Sequence, residues 1–205
     1  RNTEAEARLR SELEALTGQL SQLEQQITEQ FPRYGELTRR EPLALADTQQ
    51  LLGPEEALIT FIQSREGDKT HVFVVGRDRS AAYTVELGVE ELKDEINELR
   101  IALDFKSGGM SFDLGVAHTL YEKLLSPAEP YLKGIKHLFV VPSGSLERIP
   151  LGILVTERPE PGVGYRDVAW LAKKYAMTTL PSVASLRALR AFASATKSTQ
   201  PFIGI

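Results

Sequence analysis

The segment HLFVVPSGSLERIPLGILV, residues 137–155, constrains the fold more than any other part of the chain. Phe139, Val140 and Val141 form an unbroken aromatic and β-branched run, so a strand here must be covered on both faces, as the strands of a parallel sheet are. Such a sheet needs a layer on each side. Open α/β sheets place ligands and active sites beyond the carboxyl ends of their strands. That position is held by Pro142, Ser143 and Gly144, a turn that stops the strand before a second short apolar run follows Pro150.

Upstream, ALITFIQ (57–63), THVFVVGRD (70–78) and AAYTVEL (81–87) are rich in β-branched and aromatic residues and are separated by polar turns. They predict a three-stranded meander. Val89, Leu92, Ile96, Leu99 and Leu103 then share one helical face. Asp113 is placed to cap a second helix that runs through Tyr121 to Ser126 and is ended by Pro127 and Pro130, and Asp47 reads likewise as the cap of a short helix over Thr48–Leu52. Past a Pro/Gly-rich loop at 159–164, Tyr175–Leu180 reads as a strand and Ser182 as the cap of a helix over 183–192. A meander followed by alternating strands and helices predicts a mixed-sheet, three-layer α/β domain. The closing PFIGI (201–205) reads as the start of a further core strand, so the chain is expected to be a fragment.

The leading residues have another character. Leu9, Leu13, Leu16, Leu20, Leu23 and Ile27 alternate spacings of four and three, which puts them on one stripe of a helix about 40 Å long. The expected fate of that stripe is burial against the chain's own domain or an antiparallel partner. A parallel coiled-coil dimer is the alternative, and Arg10, Glu12, Thr17, Gln19, Glu24 and Gln26 are too mixed to specify one by charge. The organisation read from the sequence is therefore a long amphipathic linker helix at 1–33 and one α/β domain at 34–205.

Composition narrows the chemistry. A net charge of −4 with no basic stripe argues against nucleic-acid and anionic-membrane partners. The chain has no Cys, which excludes disulfides, zinc ribbons, iron–sulfur clusters and a thiol nucleophile within it. No leader and no apolar run of spanning length stand out, and a cytoplasmic location is expected. Ser143 falls short of a nucleophile elbow, because Val141 and Ser145 occupy the positions that need Gly. PSGS has neither the Gly spacing nor the Lys of a phosphate-binding loop. His71, His118 and His137 lack metal-ligand spacing. Glu90, Glu91, Asp94, Glu95 and Glu98 crowd the start of a helix, where the macrodipole favours negative charge, and read as a solvated face. Lys173, Lys174, Arg187 and Arg190 could form a small positive patch, though exposed helical charge is the ordinary reading. No residue is assigned as catalytic, cofactor-binding or metal-ligating, and no cofactor is expected.

Three stretches carry a family resemblance: YGELTRREPLALADTQQLLGPEEALITFIQ, LYEKLLSPAEPYLKGIKHLFVVPSGSLERIPLGIL, and WLAKKYAMTTLPSVASLRAL followed by PFIGI. In this order they resemble successive blocks of the CHAT domain, a caspase-like cysteine peptidase family often found behind tetratricopeptide repeats. The likeness runs from Tyr34 to Ile205. It rests on Pro142, Ser143, Gly144, Leu146 and Pro150-Leu151 after the core strand, and on Leu180, Pro181 and Ser182 before a helix. The resemblance implies a His–Cys dyad located C-terminal to an FIGI-type strand. The three histidines lack the His-Gly context and Cys is missing, so no catalytic residue carries over. What the resemblance implies here is the non-catalytic pseudo-caspase portion, with the catalytic half, upstream repeat helices or a second copy of the chain as partners. A free-standing interaction module is the competing class, and a hydrolase using Ser143 a weaker third.

Overall fold

A computed structural model describes residues 3–30, 43–64, 68–103 and 111–193. The chain divides into two units, Leu43–Val183 and a second made of Arg1–Pro42 with Ala184–Ile205.

The larger unit is built on a five-stranded mixed sheet of order β3-β2-β1-β4-β5. Strands β1 (Glu56–Gln63), β2 (Thr70–Gly76) and β3 (Ser80–Val85) form the expected antiparallel meander. Strand β4 (His137–Val141) lies parallel to β1, and β5 (Ala176–Thr179) parallel to β4. Leu138 through Val141 are all buried, as an apolar run between two parallel neighbours requires. At the margins the alternation returns: β3 buries no residue fully, which suits an edge strand.

Helices α3 (Val89–Leu103) and α4 (Leu114–Leu124) follow the meander in sequence. Their Leu92, Ile96, Leu99, Leu120 and Leu124 join Ile59, Phe61, Val72, Val74 and Val140 in one core. Leu58, Phe139 and Val141, which alternate with these along the strands, are buried too, so both faces of the sheet are covered. The α/β mixed-sheet reading therefore holds. Asp113 caps α4 as expected, its Oδ1 accepting from the backbone N–H of Gly115 (2.8 Å) and Val116 (3.0 Å). Pro127 and Pro130 do end α4, but inside a 3₁₀ turn over Ser126–Tyr131 that the sequence reading did not foresee.

One local expectation needs correction. Helix α2 spans Leu45–Gln50 with Ala44 at its N-cap, so Asp47 sits inside the first turn and not at the cap. The helix closes instead through Thr48, whose N–H and hydroxyl both donate to the Ala44 carbonyl. The structure also gives the form of the second short apolar run, which follows Pro150. That run folds as a 3₁₀ turn at Leu151–Ile153, and Val155 makes a single bridge to Trp170. Pro150 has no N–H to donate to a ladder, and the run's Leu151, Leu154 and Val155 are consumed by the core. The short helix α5 (Leu171–Lys174) leads directly into β5.

In the second unit, α1 spans Thr3–Gln30, and α6 spans Ala184–Ala193 with Leu186 and Ala188 buried. The stripe expected to be buried against the chain's own domain or an antiparallel partner is exposed in the single chain. Leu9, Leu13, Leu16, Leu20 and Leu23 are 65%, 67%, 59%, 52% and 56% exposed. The break expected at Phe31-Pro32 and the strand expected at PFIGI lie outside the described residues.

Candidate functional site

Parallel pairing of Thr60 with Val141 brings the carboxyl ends of β1 and β4 side by side. Gln63 ends β1 there, and Pro142, Ser143 and Gly144 leave β4. Gly144 adopts φ +57°, a left-handed conformation that strains residues with a Cβ, and a Cβ at this position would lie 2.0 Å from Gln63 Oε1. The Gln63 amide thus closes directly over the turn. Among the described residues, Gln63 Nε2 and Ser143 Oγ are both buried without a hydrogen-bond partner. A serine nucleophile needs a base within hydrogen-bond reach of its oxygen, and among the described residues the Ser143 hydroxyl has none.

Each histidine is engaged elsewhere. His71 Nδ1 meets Thr84 Oγ1 at 3.0 Å across β2 and β3, and His137 Nε2 meets Thr178 Oγ1 at 2.8 Å across β4 and β5. His118 Nδ1 donates to the Val155 carbonyl at 3.0 Å and so ties α4 to the loop after β4. Its other nitrogen stands 3.6 Å from Glu122. The acidic face of α3 is partly a docking contact. Glu91 and Glu95 accept from Lys123 of α4 at 2.8 and 3.2 Å, while Glu90 pairs with Lys93. Among the described residues no three His, Cys, Asp or Glu side chains gather to hold a metal ion.

Two hollows remain. The larger, about 640 Å³, is an apolar cleft between the end of α3, the residues before α4, the loop after β4 and α5. Leu103, Phe112, Ile153, Tyr165 and Trp170 line it, and Lys173 is the one charged residue among its described lining. Its aromatic polar groups are already used. The Tyr165 hydroxyl accepts from the Phe112 N–H, and Trp170 Nε1 donates to the Tyr165 carbonyl. Edge-to-face packing of Phe112 on Trp170, with ring centroids 5.7 Å apart, fixes the wall. Clefts of this size and polarity are typical of sites for apolar groups. The sequence reading passed over it, because Tyr165 and Trp170 lie in irregular chain with no periodicity to mark them.

The second hollow, about 500 Å³, lies at the amino ends of β4 and β5. Glu129 accepts there from the Tyr121 hydroxyl and from Lys174 (2.7 Å). The Lys174 ammonium first, and the Tyr121 hydroxyl second, hold the Glu129 carboxyl below its ordinary value, while burial pulls the other way. Burial and then the bond to Glu129 push the Tyr121 phenol well up. Lys173 and Lys174, grouped together in the sequence, thus face different hollows.

Residues 114–204 match the family model of the CHAT domain. The match begins at the first residue of α4 and takes in β4, the turn at Ser143-Gly144 and β5. The first of the three stretches that carried the resemblance, in residues 34–63, lies outside it. Among solved structures, a chain described as "Alp12 filament structure" matches at 12% identity, with 74% of this chain and 52% of that chain covered and a TM-score of 0.34. This chain therefore spans about half the length of that one. No curated protein matches. No helix among the described residues is long and apolar enough to cross a membrane.

Proposed function

We propose, from the CHAT-domain match over 114–204, that this chain supplies the non-catalytic scaffold of a CHAT-type, caspase-like cysteine peptidase, against which a catalytic half packs. The observation that carries this reading is the combination of that match with a chain that has no Cys. Peptide hydrolysis by this chemistry needs a thiolate activated by a nearby imidazole. Among the described residues no base reaches Ser143 Oγ at the carboxyl ends of β1 and β4 to replace it. The sheet supports a supporting role. Among the described residues β5 pairs only with β4, so its outer edge is open to a further strand from a catalytic half.

The experiment is a peptidase assay on the purified chain and on a version extended through the natural reading frame. The chain alone should leave a mixed peptide library intact. The extended protein should carry a His-Gly and a Cys, and should cleave peptides until that Cys is replaced by Ala. A stop codon directly after Ile205, or cleavage by the chain alone that is lost in Ser143→Ala, would overturn the reading. A free-standing interaction module is the second reading, and the apolar cleft beside Trp170 favours it. The stop codon would select it.

A further inference from the structure

We propose that two copies of this chain associate through α1 as an antiparallel helical pair. Five leucines on one stripe of the 28-residue α1 stand 52–67% exposed. A contiguous apolar stripe of this kind marks an interaction surface. Its spacing of four, three, four, three and four fits a heptad seam, with Leu9, Leu16 and Leu23 at d and Leu13, Leu20 and Ile27 at a.

Orientation follows from testing the register both ways. In an antiparallel pair each a position faces a d position. Leu16 then meets Leu20 of the second copy, Leu13 meets Leu23, and Leu9 meets Ile27. Every layer occurs twice about a two-fold axis at the helix centre, and all twelve seam positions find apolar partners. The next layer outward sets Glu6 against Gln30 at both ends, so the apolar core closes where the apolar sequence stops. At the flanks an antiparallel pair sets e against e, which brings Arg10 beside Glu24 twice.

In a parallel pair the same leucines meet, but the flanks change. Glu12 would face Thr17, Gln19 would face Glu24, and Glu6 would face Glu6. That arrangement has no opposite-charge pair and one like-charge layer. Flanking charges decide partner and direction in helical pairs, and here they favour the antiparallel one.

Sedimentation equilibrium of the full chain over a micromolar concentration series should show a reversible monomer–dimer equilibrium. Leu16→Glu with Leu20→Glu should abolish the dimer without moving the urea midpoint of the Leu43–Val183 unit, because both side chains are exposed in a single chain. Arg10→Glu should weaken the dimer on the order of tenfold, and adding Glu24→Arg should restore it. Because the chain has no Cys, orientation can be read by disulfide formation. A mixture of Leu13→Cys and Leu23→Cys chains should cross-link to each other, and Leu13→Cys alone should not cross-link to itself. A strictly monomeric chain, a dimer indifferent to the Leu→Glu changes, or self-cross-linking of Leu13→Cys would each overturn the proposal.

Discussion

Gly144 shows how one residue can be required twice. Its φ of +57° costs any Cβ-bearing residue about 1–2 kcal/mol, and its contact with Gln63 adds a steric cost on top. Gly134 (φ +81°) and Gly162 (φ +79°) share the conformation but have nothing within 4 Å of an added Cβ. The two effects can therefore be separated inside one protein. Gly162→Ala should cost about 1 kcal/mol in urea unfolding, and Gly144→Ala about 2–3 kcal/mol. In a Gln63→Ala background the cost of Gly144→Ala should fall to that of Gly162→Ala. Equal costs in both backgrounds would show that the Gln63 contact does not constrain the turn. Capping shows what a sequence can reveal at this scale. Asp113 was legible because Asn/Asp/Ser/Thr capping is a local side-chain-to-backbone bond. Asp47 misled because Leu45 and Ala46 enter the helix ahead of it, and the Thr48 hydroxyl takes the Ala44 carbonyl.

Among elements, α1 and α3 teach the limits of periodicity. Both carry apolar residues at helical spacing. On α3 the central three, Leu92, Ile96 and Leu99, are 0% exposed, while on α1 the stripe stays open. Periodicity identifies which face is apolar and leaves open what covers it. The consequence is measurable. Ile96→Ala should destabilise the Leu43–Val183 unit by about 2–5 kcal/mol, since a buried methyl-rich side chain leaves a cavity. Leu16→Ala, measured where the chain is monomeric, should change it by less than about 0.5 kcal/mol. A large cost for Leu16→Ala would mean that the stripe is buried within a single chain. Strands were easier to read than connections. The β1 and β4 runs are easy to read because doubly covered strands carry continuous apolar stretches, Ala57–Ile59 in the one and Leu138–Val141 in the other. The cleft at Phe112, Tyr165 and Trp170 is assembled from irregular segments about fifty residues apart, and only tertiary contact brings them together.

At the scale of the whole molecule, two buried tyrosines, Tyr121 and Tyr175, and the half-buried Tyr83 fasten the large unit and make it sensitive to alkali. Tyr83 in β3 donates to the Leu124 carbonyl at the end of α4 (2.7 Å), and Tyr121 in α4 donates to Glu129 in the following turn. Tyr175, between α5 and β5, is buried beside Lys174. Burial, the largest cause in each case, raises all three phenols above their ordinary value of 10.0. A raised phenol keeps its proton in the folded state while the unfolded chain releases it. The stabilising contribution is thus complete below the unfolded value and declines as pH rises beyond about 10 toward the folded values. Each tyrosine that titrates only in the unfolded chain should steepen the alkaline loss by up to about 1.4 kcal/mol per pH unit. Glu129 acts in the opposite direction. Its lowered carboxyl stabilises the fold above the unfolded carboxylate range and loses that contribution as pH falls through the folded value. Urea midpoints measured from neutral pH upward should therefore hold level and then fall steeply above about pH 10. Tyr83→Phe lowers stability at neutral pH by about 1 kcal/mol for the lost hydrogen bond, yet it should make the alkaline decline shallower, because one of the three linked protons is gone. An alkaline limb of unchanged slope in Tyr83→Phe would show that this phenol ionises as readily in the folded protein as in the unfolded one, and an unchanged midpoint at neutral pH would show that its bond to Leu124 does not fasten β3 to α4.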